Sequence, residues 1–395
     1  MTSLPDFFRW PNPIQRGLAL MPRSILNRLE ISALPASFDQ TPPSDQLRAF
    51  WAPHRCALVK QSVYNDLYCC LSLAPAAEAV RSSLMRTGPM GFLTDLGADF
   101  WHVREDEAPE CRIWEESPGS NPSTDLEEFR RQQTQVPHQG RFGHGRSPAE
   151  LSVTVDSVPW NNYQMVISLD IAIPLRIRRR HPDILWVYFP VDPGTPTAKT
   201  ARRTPPEGFD VTLTHLHRRF PVRPNLGPQS IDCPYSFQSP YSWQSVWPEP
   251  TERNGIMVEG KTAAKLEPGQ LAAIGHFGPV RRPQGSVSKV AQDLLASRYY
   301  LSLYGNPLTG NGQIEAIMAG CLSLGDPRTY VQRSLFTPAT VAKSFDSALC
   351  RLSAWDQDPV RREHARQEQR AIAEYICFRR PAQQLLTFLQ RKLQP

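Results

Sequence analysis

No stretch of this chain reaches the roughly 18–20 consecutive apolar residues needed to span a bilayer. The amino terminus carries Asp6, Phe7 and Phe8 but no uninterrupted apolar core, so no secretory leader is expected. Paired cysteine spacing of the zinc-binding kind is missing from the eight cysteines (Cys56, Cys69, Cys70, Cys111, Cys233, Cys321, Cys350 and Cys377). Several of them lie inside apolar runs, where a thiol behaves as a small hydrophobe. Arginine clusters at 178–180, 202–203, 218–219, 281–282 and 379–380 have no interleaved aromatics, so no nucleic-acid platform is expected. No internal repeat is evident. These absences make a reducing cytoplasm the expected location. Proline is the opposite case: 39 residues, about twice the usual share, concentrate before residue 55 and between 190 and 253 and imply irregular connections there.

A chain of 395 residues exceeds one ordinary core. The expected division is an amino-terminal arm (1–50), a first domain (51–245), a second domain (246–360) and carboxyl-terminal helices (361–395). Cys56–Lys60, Met165–Leu169, Ile184–Phe189 and Phe209–Leu213 are short apolar runs suited to buried strands, and a basic helix is expected within Ile173–Arg180. Strands alternating with helices favour an α/β fold with parallel sheets covered on both faces. Residues 221–253 have the composition of an interdomain crossover, and their Tyr235, Phe237, Tyr241 and Trp243 are candidates to line a cleft. The second domain is expected to begin at Ile256–Glu259, with a further strand at Leu271–Gly275 and a helix at Val287–Ser297. Val360–Leu393 has the spacing of two amphipathic helices broken at Pro381.

The most informative stretch is RYYLSLYGNPLTGNGQIEAIMAGCLSLGDP, residues 298–327. Tyr299–Leu303 is strand-like, Gly305, Gly310 and Gly312 mark a loop, Gln313–Ala319 is helical, Gly320 suits the helix stop, and Cys321–Leu324 is a second strand. A loop at the carboxyl end of a parallel strand is where open α/β sheets bind ligands.

Glu315-Ala316-Ile317-Met318-Ala319-Gly320, followed by Cys321–Leu324, resembles the nucleotide-sugar site of GT-B glycosyltransferases. The resemblance implies two Rossmann-like domains facing a cleft, with the donor held mainly by the second. It implies that Glu315 bonds the donor ribose, that Gly310 and Gly312 let backbone N–H groups approach the diphosphate, and that Asn311, also counted in the donor site, sits where some inverting members carry an amide. A weaker match counts His276 and Arg281 from Gly275 as a phosphate clamp, which transfer without a metal would need. Pro307 stands eight residues before Glu315, where retaining members carry another carboxylate. An acceptor base is sought after the first-domain strands, at Asp170, Asp192 or His215.

The activity so implied is metal-independent sugar transfer from a nucleotide-diphosphate donor to a glycan, lipid-linked or small-molecule hydroxyl. The nucleotide sugar is a substrate, and no cofactor is implied. The alternatives are a nucleotide-sugar epimerase of the same fold and a non-catalytic glycan- or protein-binding module. The carboxyl-terminal helices are expected to cross back onto the first domain. Arg361, Arg362, Arg366 and Arg370 offer a second reading of those helices, peripheral membrane contact.

Overall fold

The computed structural model describes residues 38, 40–61, 90–104, 153–169, 172–189, 205–214, 228–233, 237–245, 247, 249–284, 287–304, 311–327 and 335–394. The helix expected at 25–33, the apolar segment at 64–73 and the polar stretch at 115–150 lie outside them.

Strands β1 (Cys56–Gln61), β2 (Asp99–Arg104), β3 (Val153–Thr154), β4 (Met165–Leu169), β5 (Leu185–Phe189), β6 (Val211–Thr214) and β7 (Ser230–Asp232) form one parallel sheet. Their spatial order is β3-β2-β1-β4-β5-β6-β7, a doubly wound, Rossmann-like arrangement. The central strands β4 and β5 are almost continuously apolar and buried at every position because both faces are covered. Along β5, Leu185, Val187 and Phe189 enter one core cluster, while Trp186 and Tyr188 enter the other. Helices α1 (Ser44–Trp51), α2 (Met90–Thr94), α3 (Leu175–Arg180) and α4 (Pro240–Gln244) accompany this sheet.

A second parallel sheet contains β8 (Ile256–Val258), β9 (Val280–Arg281), β10 (Tyr299–Ser302) and β11 (Leu322–Gly325), in the order β11-β10-β8-β9. Its connecting and flanking helices are α5 (Gly260–Lys265), α6 (Pro268–Gly275), α7 (Val287–Ala296), α8 (Asn311–Met318), α9 (Phe345–Gln357) and α10 (Pro359–Glu374). The fold class is therefore α/β with two Rossmann-like parallel sheets.

One glycine decides how β8 meets β9. Gly255 has φ +81°, and a Cβ placed there would lie 2.2 Å from the Pro279 carbonyl oxygen, the same oxygen that accepts from Ile256 N at 2.9 Å. Positive φ and the clash both penalise a side chain, so Gly255→Ala is expected to cost about 2–5 kcal/mol. Chemical denaturation of the purified variant checks this. An unchanged midpoint would remove the close approach as a constraint.

The chain ends in a long helical run. After α10, residues Tyr375–Arg379 form a π-helical turn and α11 (Arg380–Leu393) follows. Ile372, Ala373, Tyr375, Ile376 and Cys377 pack in a core of the second sheet. Phe378, Ala382, Leu385, Leu386 and Leu389 pack in a core of the first. The expected break at Pro381 is not seen. Proline in a first helical turn needs no N–H partner, and the widened turn before it accommodates the ring that would crowd the carbonyl of residue 377.

Two further expectations are corrected. Leu271–Gly275 is not a strand but most of α6, which starts at Pro268 beside Glu267, whose N–H bonds Gln270 Oε1 at 3.0 Å. Phe237 and Trp243 do not line a cleft, being fully buried in the first and second cores respectively. Tyr241 is half-buried and carries the Arg48 guanidinium 3.2 Å above its ring, and Tyr235 lies outside the described residues. Burial pushes the thiols of Cys56, Cys233, Cys321 and Cys377 upward, the last three being completely enclosed, so they are core hydrophobes rather than nucleophiles.

Candidate functional site

The second sheet has its topological switch between β8 and β10. From β8 the chain runs through α5 and α6 to β9 on one side. From β9 it crosses back through α7 to β10 on the other side, and α8 leads on to β11. Connections leaving two adjacent strands in opposite directions open a crevice at their carboxyl ends, which is the ligand position of doubly wound sheets. The loops that edge it are residues 259–262 after β8 and 303–304 after β10.

These two loops are tied together. Glu259 Oε2 accepts from the Thr262 N–H at 2.9 Å and from its hydroxyl at 3.0 Å, capping α5. Thr262 Oγ1 in turn accepts from Leu303 N at 2.9 Å and Tyr304 N at 3.2 Å. The wall is thus hydrogen-bonded before any ligand arrives. Lys261 projects from it, exposed and without an ion pair among the described residues. Lys265 Nζ lies 4.8 Å over the exposed Tyr304 ring. This lysine-bearing loop escaped sequence reasoning although Ile256–Glu259 was recognisable as a strand. Its signal is Gly260-Lys261 directly after the first strand of the domain.

The helix after β10 supplies the opposite wall. α8 starts at Asn311, two residues earlier than expected, which places Glu315 in its second turn. Glu315 is 1% exposed, so it does not act as a solvated complement to the helix dipole. A carboxylate is expensive to bury and is kept where it is bonded. Gln313, two residues nearer the helix start, is also 1% exposed, and neither its Oε1 nor its Nε2 has a hydrogen-bond partner among the described residues. Ser302 Oγ, at the carboxyl end of β10, is likewise buried and unpartnered. At Gly312 an added Cβ would lie 2.9 Å from the Tyr300 hydroxyl, so the glycine permits close approach at the start of α8.

The other expected site residues divide into two groups. His276 is exposed at the C-cap of α6, with its N–H bonded to Ala273 O. A helix carboxyl end is electronegative, the wrong pole for a diphosphate. Arg281 lies on the edge strand β9, where Nη1 donates to Asn254 O at 2.5 Å and Nε lies 4.0 Å from Asp293 Oδ1. Both were reached by counting from a strand at Gly275 that is a helix. Asp170, Asp192, His215 and Gly310 lie outside the described residues, as does Pro307; Asn311 is placed by its backbone alone. In the chain, Asp170 directly follows β4, Asp192 follows β5 by three residues and His215 directly follows β6. Among the described residues no group of three or more His, Cys, Asp or Glu is placed to hold a metal, and no helix is long and apolar enough to cross a membrane.

No protein-family model matches the chain, and no curated protein does. Among solved structures it is similar to the pneumococcal O-GlcNAc transferase GtfA bound to UDP and GlcNAc. That match has 11% identity and a TM-score of 0.37, covering 58% of this chain and 57% of GtfA, so this chain spans little more than half of that enzyme. It is also similar to T4 phage β-glucosyltransferase (9% identity, TM-score 0.39, 86% of this chain and 100% of that one). A third is sucrose-phosphate synthase from Thermosynechococcus elongatus (11% identity, TM-score 0.40, 86% and 99%). At such values no residue role is carried across from any of them.

Proposed function

We propose that this protein is a glycosyltransferase that takes a nucleotide-diphosphate sugar as donor and a hydroxyl as acceptor, without a bound metal. The observation that carries the reading is Gln313. Its amide is buried in the first turn of α8, the helix that follows β10, and neither of its polar atoms has a hydrogen-bond partner among the described residues. An unpartnered buried amide costs about 1–3 kcal/mol, and a bound polar ligand offsets that cost.

In this reading Glu315 bonds the ribose hydroxyls, and the backbone of the Gly310–Gly312 segment meets the diphosphate at the positive end of α8. Lys261, exposed just after β8, neutralises charge as the nucleotide diphosphate leaves, which is the electrostatic work that metal-free transfer requires. Asp170, Asp192 or His215, after β4, β5 and β6, accepts the proton of the acceptor hydroxyl. The acceptor is a glycan, a lipid-linked sugar or a small molecule, and the reaction takes place in the cytoplasm.

Equilibrium binding of UDP and GDP tests the donor half. Wild type is expected to bind one of them, and Glu315→Ala to weaken that binding about 10–100-fold, the worth of a charged hydrogen-bonding group. Gln313→Leu separates binding from folding. With no internal bond to lose, it is expected to keep or raise stability while weakening the nucleotide about tenfold. If neither nucleotide binds wild type, or if both variants bind as wild type does, the donor site is lost. Binding without turnover across an acceptor panel would instead favour a non-catalytic module, and release of free sugar without acceptor would favour an epimerase.

A further inference from the structure

A second polar depression, of about 500 Å³, lies at the amino ends of β1 and β2, where Cys56 and Asp99 begin those strands. This is the end of the first sheet opposite to the one that doubly wound folds use for ligands. Its size is within the ~300–1,000 Å³ of small-molecule sites. Its lining carries the charged residues Asp45, Arg48, Arg55, Asp95 and Asp99 together with His54.

Asp95 is the informative member. It is 4% exposed; one carboxyl oxygen accepts from the Ser242 hydroxyl, and the other has no hydrogen-bond partner among the described residues. The cations around it are already balanced. Arg48 Nη1 bonds Asp45 Oδ1 at 2.9 Å with its guanidinium stacked on Tyr241. Arg55 Nη2 lies 3.6 Å from Asp99 Oδ2, which also accepts from the Tyr163 hydroxyl at 2.8 Å.

This lining discriminates by charge. An anion would meet three aspartates, and a cation would meet two arginines and a histidine. What it offers is guanidinium donors and carboxylate acceptors side by side, with one buried acceptor unfilled. A hydroxyl both donates and accepts, so neighbouring hydroxyls on one molecule match alternating donors and acceptors. We infer that the depression bounded by Asp95, Arg48 and Arg55 is a binding site for a neutral polyhydroxyl ligand, a saccharide, which donates a hydroxyl hydrogen to the open Asp95 oxygen. The inference stands apart from the donor crevice of the second sheet and does not depend on it.

The test is solution binding at pH 7.5 of methyl α-glucopyranoside, methyl N-acetyl-β-glucosaminide and maltose, with inorganic phosphate and putrescine as charged controls. Saturation-transfer NMR and the ring resonances of histidine-labelled protein report whether a probe reaches His54. At least one saccharide is expected to bind and shift the His54 signals. Asp95→Ala and the exposed Arg55→Ala are each expected to weaken it about tenfold, the worth of one charged hydrogen bond. Arg55→Ala keeps the test informative if Asp95→Ala does not fold. Binding of UDP is expected to be the same in Arg55→Ala as in wild type. The inference is overturned if no saccharide shifts His54, if the shift survives unchanged in Arg55→Ala, or if phosphate or putrescine binds there more tightly.

Discussion

Replacing Arg380 by alanine is expected to destabilise the protein by about 3–5 kcal/mol, because it takes the charged partner from a nearly buried carboxylate. Arg380 opens α11, and its Nη2 donates to Asp232 Oδ2 at 2.7 Å and to the Asp232 carbonyl at 3.0 Å. The two side chains are only 12% and 13% exposed, so solvent screens the pair little. Asp232 closes β7, the edge strand of the first sheet. The pair therefore fastens the last helix to that sheet just after the π-helical turn, where the chain leaves the second core for the first. Arg380→Lys retains the charge but not the two-pronged geometry and is expected to recover only part of the loss. Urea titrations of the three proteins check the order. An Arg380→Ala midpoint equal to wild type would mean that apolar packing of Leu385, Leu386 and Leu389 alone holds the helix down.

The second large effect is a pH dependence centred on Asp95. Burial first of all, opposed by the hydroxyls of Ser242 and Ser239 and by the charge of Arg48, raises its carboxyl from 3.8 to about 7. A folded-state value above the unfolded one means that the folded protein binds the proton more tightly. The resulting stabilisation is complete below about 4 and is lost as pH rises through about 7. Between pH 5 and pH 8 this loss amounts to about 2–3 kcal/mol. Asp95→Asn has no proton to release. Its stability relative to wild type is therefore expected to improve by that amount between pH 5 and pH 8. Denaturation of both proteins at the two pH values measures the difference directly, since other titrating groups are common to both. A constant difference would show that Asp95 titrates alike in the folded and unfolded chains. The consequence lies in the crossover itself, because Asp95 grips the Ser239–Ser242 cap of α4, whose flanking Phe237 and Trp243 belong to different cores.

Local patterns carried much of the fold. Runs such as Met165–Leu169, apolar but for Ser168, and Leu185–Phe189 are continuous because both sheet faces are covered, and that feature is visible without coordinates. The unit from Tyr299 to Gly325 was legible for the same reason, with glycines marking its loop and helix stop. The run Leu271–Gly275 was not. Five apolar or small residues fit a buried strand and a helix equally well. Glu267, Pro268 and Gln270, which start α6, were the cue that separates them. That error carried His276 and Arg281 into the candidate site and left Lys261 out of it.

The sequence by itself determined that runs such as Met165–Leu169, Leu185–Phe189 and Tyr299–Ser302 are strands of covered parallel sheets and that Glu315 follows one of them, because those properties reside in short-range pattern. Only the tertiary structure decided the order β11-β10-β8-β9, and with it the crevice between β8 and β10, because strand neighbours are chosen by contacts distant in the chain. Burial belongs to the same class. Gln313 and Asp95 are ordinary polar letters in the sequence. They become candidates for binding only when the folded chain encloses them and leaves Gln313's amide and one Asp95 oxygen without a partner among the described residues.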